Sequence, residues 1–107
     1  MSYFNKKESS YLKGVKERVR ALNHPLRQSI LKIIETNDNR MNVTDVYTRL
    51  RLEQSVASQQ LAILRKQGFV STNRDGKIIW YSVNQSEIDE FLDKCRVIME
   101  EEDILVS

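Results

Sequence analysis

The sequence predicts one small, mainly helical domain that carries a single β-hairpin. Three observations lead there. The chain has 107 residues, the size of one domain. Apolar residues recur at helical spacing in five segments. One Asp-Gly pair, Asp75-Gly76, stands between two β-rich runs and is a strong hairpin signal.

The first helix is expected over residues 10–22, where Leu12, Val15, Val19 and Leu22 form a stripe. Ser9 or Ser10 is a suitable cap for it. Pro25 opens a second helix, because a proline at the first helical position lacks an N–H that would be unpaired there anyway. Its inward residues are Leu26, Ile30, Ile33 and Ile34, and the polar loop 37–40 ends it. A short third helix is expected over 44–51, capped by Thr44, with Val46, Tyr47 and Leu50 facing in. The fourth spans 54–67 and buries Val56, Ala57, Leu61 and Leu64; Gly68 stops it in a left-handed conformation. Strands follow at 69–73 and 78–83. The last helix, 86–101, is capped by Ser86 and carries Ile88, Phe91, Leu92, Cys95, Ile98 and Met99 in one stripe.

Composition narrows the function classes. Hydrophobic residues make up 40% and charged residues 30%, the balance of a globular domain. No apolar run reaches the roughly 20 residues that span a bilayer. The opening residues 1–7 hold no signal-like apolar stretch, so the expected location is the cytoplasm. A lone cysteine, Cys95, excludes an intrachain disulfide framework. One histidine, one cysteine and no phosphate-cradling glycine pattern argue against an enzyme. Charge is segregated. Between Lys6 and Arg27 there are seven basic and two acidic residues, and after Asn84 there are two basic and eight acidic. Such asymmetry suits a polyanionic partner on one face.

Two short helices followed by a basic-tipped hairpin is the order of a winged helix-turn-helix, in which the second helix enters the DNA major groove. The fourth segment has the two faces this needs. Leu61 and Leu64 anchor it, while Gln54, Ser55, Ser58 and Gln59 occupy the other side of its first turns. Glutamine pairs in bidentate fashion with adenine, and serine bonds bases or phosphate. Gln60 and Arg65 complete the expected helix contacts, with Lys66 nearer the backbone. Arg74 and Lys77 at the hairpin tip are expected on phosphate or in the minor groove, where they give affinity rather than sequence reading. The competing reading is a winged-helix module for protein contacts, with the acidic last helix as its surface.

The segment LNHPLR at 22–27, followed by Ile30-Leu31, resembles the opening signature of the ArsR family of bacterial repressors. LEQSVASQQLAILRKQGFV, 52–70, is similar to that family's reading helix, and the hairpin 71–83 to its wing. The resemblance spans roughly residues 10–100. It implies a homodimer built on the first and last helices, an inverted-repeat operator, and repression relieved by a signal. Where this family has a good helix cap before its reading helix, this chain has Glu53. Where many members carry a Cys-x-Cys metal pair, it has Asn42 and Thr44, and no histidine follows His24. No metal and no other cofactor is therefore expected. His24 is expected to cap the second helix. Cys95 is expected to fill the core as a small hydrophobe, the alternative being a redox switch.

Overall fold

The computed structural model describes the backbone of residues 6–106 and the side chains of 13–97 and Glu100. The elements run α1 (Lys6–Leu22), α2 (Pro25–Thr36), α3 (Val43–Leu50), α4 (Gln54–Lys66), β1 (Val70–Asp75), β2 (Ile78–Val83) and α5 (Gln85–Val106). All five helices and both strands stand where hydrophobic periodicity puts them. The ends differ in ways that have local causes.

Helix α1 begins before Ser9 and Ser10, so neither is its cap; their side chains and that of Leu12 lie outside the described residues. At α3 the cap is Asn42, not Thr44. Its side-chain oxygen accepts from the Asp45 N–H at 2.8 Å, and Thr44 is already inside the first turn. Asparagine is at least as good a cap as threonine, and standing two residues earlier it brings Val43 and Thr44 into the helix. Ser86 likewise sits within α5, which starts at Gln85. His24 caps α2 as expected, its Nδ1 accepting from Leu26 N–H at 3.2 Å, with Pro25 at the first helical position.

The end of α4 is closed by a pair of bonds. Gly68 N–H donates to Arg65 O and Phe69 N–H to Leu64 O, both at 3.0 Å. This is a Schellman closure, and it needs a left-handed residue between the two donors. Gly68 supplies it with φ +78°. Phe69 is thereby turned into the core rather than into the strand expected to include it.

The hairpin pairs Val70 with Val83 through Asp75 with Ile78, so the strand reaches two residues further than 73. The connecting residues are Gly76 and Lys77, not Asp75-Gly76. Only Gly76 has positive φ, +63°, the pattern of a loop with glycine first. A bridge from Met41 to Tyr81 widens the sheet at its base. Asn39 extends that edge: its side chain donates to Val83 O and accepts from Val83 N–H, imitating a strand.

Ile30, Ile34, Met41, Val46, Ala57, Leu61, Leu64 and Phe69 are fully buried, so α2, α3, α4 and the hairpin base share one core. The inward residues foreseen for α2, α3 and α4 are all in it or packed against it, except Val56, which is only half-buried. Phe91 on α5 meets Phe69 with ring centroids 5.8 Å apart. Arg18 of α1 lies over both rings, 4.8 and 4.6 Å from their centroids, and donates to Glu87 at 2.9 Å and to Gln67 O at 3.3 Å. One guanidinium thus joins α1, the end of α4 and α5.

Candidate nucleic-acid interface

Helices α3 and α4 are joined by Arg51, Leu52 and Glu53. The turn is sharp because Arg51 takes φ +54° and its N–H reaches back to Thr48 O. Left-handed backbone costs a non-glycine residue about 1–2 kcal/mol, and here the packing of α3 on α4 holds it. Leu52 N–H then bonds Tyr47 O at 2.9 Å, fixing where α4 starts.

Along α4, Ala57, Leu61 and Leu64 are buried while Gln54, Ser55, Ser58, Gln59, Arg65 and Lys66 are exposed. Burial of one stripe therefore turns the opposite stripe to solvent. Ala62 falls in the middle of that open stripe, one turn beyond Ser58 and Gln59. Sequence reasoning passed over it because alanine carries no polar atom; its methyl can contact a thymine methyl. Glu53 precedes the helix with no side-chain bond to it, so the first N–H groups of α4 have no side-chain cap.

Gln60 stands apart from its neighbours. It is half-buried, and its Oε1 accepts from Arg27 at 2.8 Å. The structure gives that oxygen a partner inside the protein, on the side of α4 that faces α2.

The hairpin follows α4 directly. Residues opposite one another in register share a side of the sheet, so Arg74 and Ile79 lie on the side whose base, Val70 and Val83, is buried in the core. Arg74 and Lys77 are both exposed, and Arg74 Nε donates to Gly76 O at 3.3 Å. Arg40 adds a cation that the sequence read only as part of a polar loop. Its guanidinium lies 3.8 Å from the Trp80 ring centroid and 3.9 Å from the Asp75 carboxylate. Nothing local forecasts this, because the contact joins residues far apart in the chain.

Elsewhere, Asn42 and Thr44 supply no metal ligands, and among the described residues no group of three or more His, Cys, Asp or Glu side chains comes together. Among the same residues no helix is long and apolar enough to cross a membrane. Cys95 is half-buried in a groove between α1, α2 and α5.

A helix pair whose second member is open along one side, running straight into a hairpin with a basic tip, defines a winged helix-turn-helix. Comparison with known proteins agrees. Residues 24–72 match the family described as bacterial regulatory protein, arsR family. The uncharacterized HTH-type transcriptional regulator Rv0081 of Mycobacterium tuberculosis is 34% identical over 83 residues, covering 78% of this chain and 72% of that protein. The transcriptional activator HlyU of Vibrio cholerae is 34% identical over 56 residues, and the match spans about half of either chain, 52%. Among solved structures, the transcriptional repressor PagR of Bacillus anthracis superposes with a TM-score of 0.60 at 32% identity, over 71% of this chain and 85% of that one. The homodimeric winged helix-turn-helix DNA-binding domain of Mb0332 from Mycobacterium bovis has the same fold, with a TM-score of 0.69 at 21% identity over 94% and 92% of the two chains. The chain belongs to the ArsR family and is a DNA-binding transcriptional regulator.

Proposed function

We propose that the chain is a cytoplasmic repressor that grips an inverted-repeat operator as a homodimer. The observation that carries this reading is the open face of α4, polar along Ser55, Ser58 and Gln59, with the exposed cations Arg65 and Lys66 at its end and Arg74 and Lys77 at the tip of the hairpin that follows. Gln54, Ser55, Ser58 and Gln59 read base edges; Arg65, Arg74 and Lys77 hold phosphate. Repression follows by occupying the operator.

Two substitutions separate these roles. Arg74→Ala is expected to weaken binding to all sequences alike and to flatten the salt slope by about 1 per chain. Gln59→Ala is expected to relax preference at one base pair by about 1–3 kcal/mol and to leave the slope alone. Titrating both variants against operator and random duplexes checks this. Parental behaviour in both would remove the surface from consideration.

The dimer reading rests on an open apolar groove of about 780 Å³, lined by Val19, Leu31, Ile88, Phe91, Leu92 and Cys95 among others. Val19 is 41% and Leu92 51% exposed, unusual for residues on helices that otherwise face a core. The first and last helices of a second copy are the occupant in this reading, and the Mb0332 domain of the same fold is described as homodimeric. Leu92→Glu places a charge in that contact and is expected to weaken the dimer at least tenfold, roughly. Sedimentation across micromolar concentrations reads it; an unchanged dimer would assign the interface elsewhere.

A further inference from the structure

Arg27 is a charged residue at 8% exposure, and its three polar contacts all go to neutral oxygens. The reason lies at the end of α1. A helix leaves its last four carbonyls without intrahelical partners. Here Asn23 N–H takes Val19 O at 2.8 Å, and Gln28 Nε2 takes Leu22 O at 2.9 Å. The two carbonyls between them, Arg20 O and Ala21 O, each accept from Arg27 at 2.7 Å. The negative end of the α1 dipole compensates the buried cation where a carboxylate would otherwise be needed.

The third arm of the same guanidinium reaches α4. Nη1 donates to Gln60 Oε1 at 2.8 Å. Arginine has only donors, so the amide must present its oxygen inward. A guanidinium is planar and rigid, unlike the flexible ammonium of lysine. A single stiff group on α2 therefore fixes α4 against the end of α1, the helix that carries Val19 into the groove.

We propose that Arg27, acting through Gln60, is the positioning residue that sets the reading helix relative to the dimer contact, and so the distance between the two reading helices of a dimer. This rests on the dimeric DNA-binding reading above. It assigns Gln60 a role inside the protein instead of on DNA.

The test uses an inverted repeat selected by the parent protein from a random duplex pool. Duplexes with the spacer changed by one base pair either way, and a duplex with one half-site, complete the set. Gln60→Ala leaves Arg27 capping α1, so sedimentation and helical content stay parental. Its affinity for the selected repeat is expected to fall about three- to tenfold. Its preference for that spacing should flatten, while half-site binding changes much less. Gln60→Glu keeps an acceptor for Arg27 and restores the spacing preference. Parental spacing preference in Gln60→Ala overturns the proposal alone. So does a Gln60→Glu protein as impaired as Gln60→Ala, which would put the amide on DNA. A parent that is monomeric or selects no inverted repeat overturns the dimeric reading and this proposal with it.

Discussion

Raising salt from about 50 to 200 mM will weaken binding to duplex DNA by about four powers of ten. The figure comes from the exposed cations. Arg65, Lys66, Arg74 and Lys77 are exposed on each chain, so a dimer offers twice that set. Each phosphate neutralised releases condensed counterions, and full engagement gives a log–log slope of about −7. A single chain acting alone would give about half that slope. A winged helix working only through protein contacts would show no appreciable duplex binding at either salt. The measurement thus separates three readings at once: steep favours the dimer on DNA, half-steep a monomer, and absent binding the protein-interaction module. The open face of α4 is uncharged between Ser55 and Ala62, so base reading adds little to the slope. Sequence preference and salt dependence should therefore be separable by substitution.

Phe69→Ala will cost about 3–5 kcal/mol of folding stability. Phe69 is fully buried, and it lies where four elements meet. Its N–H closes α4, its carbonyl accepts from Asn84 ahead of α5, its ring packs on Phe91, and Arg18 lies over it. Domains have a total stability of about 5–15 kcal/mol, so the loss is a large part of the whole. Alanine leaves a cavity that backbone fixed on both sides cannot close. Arg18 also loses one of its two aromatic faces. Urea unfolding followed by circular dichroism, at one protein concentration because dimerisation shifts the midpoint, reads the effect. A loss under about 1 kcal/mol would mean the site relaxes and Phe69 is not the junction described.

Local patterns in the sequence were enough for the order of elements and for the open side of α4. The stripes Ile30 and Ile34, Leu61 and Leu64, and Ile88 and Phe91 are buried as periodicity requires. Pro25 and Gly68 act where their backbone chemistry places them. What failed was local competition between similar signals. Asn42 and Thr44 are both good caps two residues apart, and only the packing of Val43 and Val46 decides between them. Asp75-Gly76 looks like a turn, yet register with Ile78 moves the turn one residue on. Contacts between distant residues left no trace at all. Arg27 with Gln60, Arg18 with Phe69, and Arg40 with Trp80 each join segments that no window of sequence contains. Sequence alone therefore groups Gln60 with its polar neighbours on α4.

The passage from α4 to β1 has no slack. Gly68 and Phe69 are both consumed by the helix closure, and Val70 is already paired with Val83. Helix and hairpin must consequently tilt together, like a key and its bow. A one-residue insertion here would turn the ribbon over, because strand side chains alternate with each step. Arg74 would then leave the side of the sheet it now shares with Val70 and Val83.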